Sequence, residues 1–296
     1  MVSVLQECLS QEGIVRWTSG DRSNIDDMRG RSGGRAVPIG IGGVVLLALL
    51  SWATGTDFLS MVTNDQAPPS QSTGTSGEVK ASPAEERMVD LVDAVTDDAQ
   101  STWERLLGNR YQRTRVTLFR DSIDSACGSA QAATGPFYCP SDSKVYLDVG
   151  FFKELERLGA PGDFAAAYVI THELGHHVQH LLGTDREVRQ DPRPGASSAS
   201  VALELQADCY AGVWGHAASS TGKLHAGRVE LDPGDADQAL RAAASIGDDR
   251  LQKMANGHVA PDRFTHGTSA QRAGWFKRGM ESGDPRQCDT FGSAAH

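Results

Sequence analysis

The segment His172–His176, with the sequence HELGH, has the residue types and the spacing of a hydrolytic zinc site. Side chains four residues apart lie on the same face of a helix, so the imidazoles of His172 and His176 can reach one metal ion. Glu173 directly follows the first histidine and would lie beside the metal without binding it. From there its carboxylate can take a proton from a metal-activated water. The pattern therefore predicts hydrolysis with Glu173 as the general base.

The residues around this motif have the composition of a buried helix. Pro161-Gly162-Asp163 provides a turn and an acidic N-cap, mostly apolar and small residues follow, and Gly183 suits the C-cap. The alternative is an amphipathic helix whose histidines are merely exposed. Burying two histidines in an apolar helix costs free energy unless they are bonded, which favours coordination. His177 and His180 fall outside this register and are expected to be hydrogen-bonded or exposed.

A catalytic zinc site needs a third protein ligand and one position open to water. The extended motif that ends in a third histidine is absent, because Gln179 and Leu182 occupy its last two defining positions. Downstream, Glu204 and Asp208 are again four residues apart in a largely apolar segment. We expect Glu204 to bind the metal and Asp208 to accept a hydrogen bond from a metal-bound histidine. A solvated acidic stripe is the alternative, and Glu187 in a polar loop is the rival ligand.

HExxH followed about thirty residues later by ExxxD resembles the gluzincin metallopeptidases. More closely, the chain resembles the bacterial family described as "putative neutral zinc metallopeptidase", often called YpfJ-like. The likeness extends from Arg16 to Phe291, with a poor match at 60–82. It implies a zincin-like fold, one Zn²⁺ per chain and cleavage of peptide bonds. The segments that carry it are Ser125–Gly128, Gly135–Pro140, Ala167–Glu173, Leu203–Cys209 and Phe264–Ser269.

The same resemblance implies a catalytic role for His266. In gluzincins a late histidine commonly stabilises the oxyanion of the tetrahedral intermediate, and His266 is similar in relative position. The alternative is that His266 caps the helix that follows around 269–280. Arg272 is expected to support the same region.

Residues 36–55 contain no charged residue and are long enough to cross a membrane. Arginines precede them and aspartates follow, so the positive-inside rule places the N-terminus in the cytoplasm and the rest in the periplasm or outside the cell. A buried core helix and a cleaved signal peptide are the alternatives, and the long N-terminal region favours a retained anchor. The expected parts are a cytoplasmic tail at 1–35, a transmembrane anchor at 36–55, a flexible linker at 56–83 and a metallopeptidase ectodomain at 84–296.

Charge limits the class of partner. The first 55 residues contain five arginines and five acidic residues, so the whole net charge of −10 falls in the remainder. This acidity argues against nucleic acid as a partner. The expected partners are a peptide or protein substrate and, through the N-terminal helix, a membrane. The sequence gives no indication of the oligomeric state.

Cysteine usage agrees with an exported domain. Four cysteines follow the apolar segment, and an even number in such a domain indicates two disulfides. Of the three pairings, Cys127 with Cys139 is favoured because a loop containing Gly-Pro links them, which leaves Cys209 with Cys288. Cysteine-bound zinc is the alternative, but no Cys-x-x-Cys pair is present. Cys8 would be cytoplasmic and reduced.

The fold class predicted from these patterns is α+β, a small sheet beside a mostly helical body. Strands are predicted at 116–119 and 144–148, and the resemblance implies that the second is the edge strand that aligns peptide substrates. Helices are predicted at 85–107, 200–218, 233–253 and 269–281.

The predicted function is that of a membrane-anchored zinc endopeptidase of the gluzincin type, which cleaves internal peptide bonds. The competing class is a non-catalytic envelope protein that binds zinc as a structural element. A structural site would have four protein ligands and no use for Glu173. Cleavage of a cell-wall peptide would be the same chemistry on another substrate.

Overall fold

The computed structural model describes residues 15–30, 79–131, 135–186, 188, 193–219, 228–232 and 234–292. The predicted anchor at 36–55, the rival ligand Glu187 and Cys8 lie outside these residues. Among the helices of the described ranges, none has both the length and the apolar character needed to cross a membrane.

A four-stranded sheet forms one layer of the molecule. β3 (Val116–Phe119) lies inside it, parallel to β2 (Ile25–Asp27) on one side and to β7 (Lys144–Asp148) on the other. β6 (Phe137–Cys139) pairs antiparallel with β7. β3 is buried along its whole length, as expected for a central strand with both faces covered.

The expectation that residues 144–148 form a substrate-aligning edge strand is wrong. β7 pairs with β3 on one side and, over Lys144–Tyr146, with β6 on the other, so it is an inner strand. The edge strand on that side is β6, a three-residue strand that the sequence pattern did not predict. The other described strands form two two-stranded antiparallel sheets. One pairs β1 (Arg16–Trp17) with β8 (Val229–Glu230), and the other pairs β4 (Ser122–Ser125) with β5 (Gly128–Gln131).

The rest of the described fold is largely helical, so the α+β class is confirmed. The predicted helix at 233–253 is two helices, because the chain turns at Gly247. A side chain there would lie 2.3 Å from the backbone nitrogen of Ser269. The longer helices are α1 (Pro83–Leu107), α2 (Phe151–Arg157), α3 (Asp163–Leu182), α4 (Ala199–Ala218), α5 (Asp235–Ser245), α6 (Asp248–Asn256) and α7 (Ser269–Ser282).

Small residues let the central helices approach closely. A side chain at Gly175 of α3 would meet the backbone of Ala207 in α4 at 3.1 Å. At Gly279 of α7, a side chain would overlap the carbonyl of Cys209 in α4. α4 is therefore held between α3 and α7, and side chains of all three helices meet at one place. Gly183 ends α3 in the left-handed conformation, as predicted, whereas Gly162 and not Asp163 is its N-cap.

Residues 15–30, predicted to be part of a tail, belong to the folded domain. β1 pairs with β8, β2 extends the main sheet, and Val15 and Ile25 are buried in the main core. The Arg29 side chain is 1% exposed and forms ion pairs with Asp27, Glu85 and Glu86. The polar composition of the segment concealed its two short strands.

Both predicted disulfides are present. Cys127–Cys139 joins the β4–β5 hairpin to β6, and Cys209–Cys288 joins α4 to the chain after α7. The alternative of cysteine-bound zinc is therefore excluded for these four residues.

Candidate metal centre

The expected ligands His172, His176 and Glu204 converge on one point. Their ligand atoms all lie within 4.8 Å of one another. The Nε2 atom of His172 is 3.2 Å from one Glu204 oxygen, and that of His176 is 3.5 Å from the other. Two imidazole nitrogens and one carboxylate oxygen are the donor set of many catalytic zinc sites, so these residues fit the metal.

Hydrogen bonds determine which nitrogen of each histidine is free for a metal. Nδ1 of His172 is 2.8 Å from a carboxylate oxygen of Asp208, which can only accept, so Nδ1 carries the proton. Nδ1 of His176 is 2.8 Å from Oε1 of Gln179, whose amide nitrogen donates to the carbonyl of Leu203. Nδ1 of His176 is therefore also the donor. Both Nε2 lone pairs are left for the metal.

Asp208 lies in a fully buried cluster of polar side chains. The Arg272 guanidinium donates to both of its oxygens at 2.9 Å, and the Tyr168 hydroxyl donates to Oδ1 at 2.5 Å. Burial raises the pKa of Asp208, but the Arg272 charge and His172 bring it below its ordinary value. The carboxylate is thus ionised, and it fixes the ring of His172.

The charges of the site favour a bound cation. Burial alone would lower the pKa of His172, but the carboxylates of Asp208 and Glu204 raise it to about 10. Burial would raise the pKa of Glu204, whereas the imidazoles of His176 and His172 hold it far below its ordinary value. Without metal, a proton on the imidazole compensates the buried carboxylates. A divalent cation would replace that proton, so metal binding should release it.

The centre opens into a cavity of about 1080 Å³, large enough for part of a polypeptide. Glu173, which is 7% exposed, lines it beside the ligand histidines. β6 forms one wall through Phe137 and Tyr138. Apolar side chains at another part of the wall are Phe151, Leu158, Val169, Ile246 and Leu251.

His266 also lines this cavity, and an acidic side chain positions it. Its Nδ1 lies 3.3 Å from Oδ1 of Asp248, and the other Asp248 oxygen accepts from the backbone N–H groups of 265, 266 and 267. The hydrogen bond to Asp248 raises the pKa of His266. The alternative role as a helix cap is wrong, because Thr268 caps α7 in a capping box with Gln271.

His177 and His180 are hydrogen-bonded, as predicted. Nε2 of the buried His177 donates to the carbonyl of Gln112 at 2.6 Å, and Nδ1 accepts from the Tyr138 hydroxyl at 3.0 Å. Burial lowers the pKa of His177. The bond to Tyr138 ties β6 to α3. His180 is 3.0 Å from Asp185 at the edge of the cavity.

Several residues of the site were missed by the sequence analysis. Tyr168 stands four residues before His172 and Gln179 three residues after His176, so helical spacing could have indicated both. Tertiary packing brings Asp248 and Gln206 to the site, and no sequence motif links either of them to the HELGH segment.

Comparison of the sequence with known protein families also indicates a zinc site. Residues 15–291 match the family described as "Putative neutral zinc metallopeptidase". The chain is 41% identical to the uncharacterized protein YpfJ of Escherichia coli K12, over 95% of this chain and 100% of that protein. It is 43% identical to an uncharacterized protein of Mycobacterium tuberculosis, over 69% of this chain and 70% of that protein. No solved structure matches.

A possible metal site of two histidines and one glutamate thus agrees with the family that the comparison indicates. The chain belongs to the "Putative neutral zinc metallopeptidase" family.

Proposed function

We propose that this protein is a zinc-dependent endopeptidase of the gluzincin type. The observation that carries the proposal is Glu173 in the cavity beside a centre of two histidines and one glutamate. A structural zinc site would have a closed set of four ligands and no need of a nearby carboxylate. The competing role, a non-catalytic zinc-containing envelope protein, leaves Glu173 without a purpose.

Each residue has a distinct part in the proposed reaction. Bound zinc would polarise the scissile carbonyl and lower the pKa of the attacking water. Glu173 takes a proton from that water and passes it to the leaving amine. His266, whose pKa is raised by the hydrogen bond to Asp248, donates a hydrogen bond to the carbonyl oxygen as negative charge develops there.

The position of β6 at an edge of the described part of the sheet supports a peptide as the substrate. An extended peptide could pair with the edge of this strand through backbone hydrogen bonds. Such pairing would bind peptides of different sequence. β6 is held in place by Cys127–Cys139 and by the bond between Tyr138 and His177. Its side chains line the same cavity as Glu173.

Removal of zinc tests the proposal. The purified protein is expected to contain about one zinc per chain, to cleave a mixed peptide library and to lose cleavage when a chelator removes the metal. Adding back one equivalent of zinc should restore both metal content and turnover. Mass spectrometry of the library would identify internal cleavage sites. Cleavage that persists in metal-free protein would contradict the proposal.

We also propose that the folded domain lies outside the cytoplasm and that residues 36–55 attach it to the membrane. The two disulfides support an oxidising compartment. The packing of residues 15–30 against the domain changes the expected topology. A single membrane crossing between residues 30 and 79 would separate β1 and β2 from their partner strands. We therefore place both flanks of the apolar segment on the outer side.

Thiol labelling of intact cells would test this topology. Ser23→Cys in the N-terminal segment and Glu281→Cys in α7 both place a cysteine at an exposed position, in a Cys8→Ser background. Both are expected to react equally with a membrane-impermeant reagent. If Ser23→Cys reacted only after the membrane was permeabilised, the N-terminus would be cytoplasmic and the common compartment wrong.

A further inference from the structure

We propose that Gln179, Gln206 and the Cys209–Cys288 disulfide together position the metal ligand His176. The inference rests on the proposed metal centre and adds to it a set of positioning residues. It assigns a task to a disulfide that is remote from the reacting atoms. Gln179 lines the cavity next to His176, whereas Gln206 and the disulfide lie behind it, so we expect their effect to be on the metal ligand.

A continuous chain of hydrogen bonds leads from His176 to Cys288. His176 Nδ1 donates to Gln179 Oε1 at 2.8 Å, and Gln179 Nε2 donates to Gln206 Oε1 at 3.1 Å. Gln206 Nε2 then donates to the carbonyl of Cys288 at 2.9 Å. Gln179 is fully buried and Gln206 is 6% exposed, so water does not readily replace these bonds.

The orientation of both amides is determined by their partners. Gln179 Nε2 has two acceptors, the carbonyl of Leu203 at 2.7 Å and Gln206 Oε1. Rotating either amide by 180° would bring donor against donor or acceptor against acceptor. Gln179 can therefore present only its oxygen to His176. This fixes the proton on Nδ1 and directs Nε2 to the metal.

The disulfide holds the far end of the chain of bonds. Gln206 and Cys209 are three residues apart on α4, and Cys209 is bonded to Cys288. The carbonyl of Cys288 is thereby kept beside Gln206, although the two residues are 82 positions apart in sequence. The Thr290 hydroxyl also donates to the carbonyl of Ala202, at 2.6 Å. Without the bridge, hydrogen bonds of this kind and the packing around residue 288 would have to keep the terminal segment on α4.

The two ligand histidines are thus supported in different ways. His172 is held by the ionised cluster of Asp208 and Arg272, whereas His176 is held by neutral amides that end at a disulfide. The affinity for metal should therefore depend on formation of the Cys209–Cys288 bridge.

Zinc affinity of variants tests the inference, measured by competition with a chromogenic chelator on the purified protein. Gln206→Met removes every bond of the second amide, and Gln206→Glu keeps an acceptor for Gln179 but loses the donor to Cys288. Both are expected to weaken zinc binding about 10–100-fold, the range for residues that orient a metal ligand. Cys209→Ser with Cys288→Ser should have a similar effect. The matched control is Cys127→Ser with Cys139→Ser, which removes the other bridge and should leave zinc affinity unchanged.

The outcomes separate this inference from the proposed function. Parental affinity in Gln206→Met would overturn the role of the amides, and equal losses in both cysteine pairs would overturn the special role of Cys209–Cys288. If loss of the bridge prevents folding, which thermal unfolding of the metal-free protein would show, Gln206→Glu decides the matter with the bridge intact. A parent that binds zinc but cleaves no peptide would contradict the peptidase proposal alone.

Discussion

Replacing Glu173 with glutamine is expected to leave zinc bound and to reduce peptide hydrolysis by about 10²–10⁴-fold, the usual contribution of a general base. Glutamine has nearly the shape of glutamate, but its amide cannot take a proton from water. Glu173 is buried beside the ligands without being one of them, so the change should not disturb the centre.

The measurement is turnover of a peptide library by parent and variant, with zinc content determined on the same samples. Glu156→Gln is the matched control, because Glu156 is an exposed residue of α2 and should behave like the parent. Equal turnover by Glu173→Gln at equal zinc content would eliminate the mechanism. It would favour the non-catalytic zinc protein.

The metal ligands could be predicted from the sequence because helical spacing determines them locally. His172 and His176 on α3, and Glu204 and Asp208 on α4, each pair at four residues, so each pair shares a face whatever the rest of the fold. The sequence also indicates in part why the two helices can pack closely, since Gly175 and Ala207 are small residues. The angle and register of their contact come from tertiary packing, which no local pattern contains.

Features that depend on pairing between distant segments could not be predicted. β6 has three residues, and its place at the sheet edge depends on pairing with β7 and on the bridge to Cys127. In the sequence, Arg29 is one of several arginines before an apolar segment. In the fold, its side chain forms ion pairs with Glu85 and Glu86. Such ion pairs join residues more than fifty positions apart, and charge counting along the chain does not reveal them.

The contacts that position His266 could not be predicted from the sequence either. The sequence allows two hypotheses, an oxyanion-stabilising histidine or a helix cap. Three backbone N–H groups around it converge on Asp248, which lies 18 residues earlier at the start of α6. The break between α5 and α6 creates this contact, and the unbroken helix predicted at 233–253 would not have provided it.

Replacing Glu204 with alanine is expected to remove zinc from the protein. It deletes one of three ligands and leaves two imidazoles, so the loss of affinity should exceed the 10–100-fold typical of residues that only orient a ligand. Asp208→Asn should fall within that smaller range, because the ligand set stays complete while His172 loses a charged acceptor. Zinc content after dialysis against a chelator of intermediate strength measures both.

Glu187→Ala provides the comparison, since Glu187 is the rival third ligand from the sequence. It is expected to keep parental zinc content, because Glu204 already lies 3.2 Å and 3.5 Å from the Nε2 atoms of the two histidines. Zinc loss in Glu187→Ala with zinc retained in Glu204→Ala would mean that the third ligand comes from the loop and not from α4. The ExxxD pattern would then be a structural feature of α4, and the roles of Asp208 and Arg272 would have to be sought in folding.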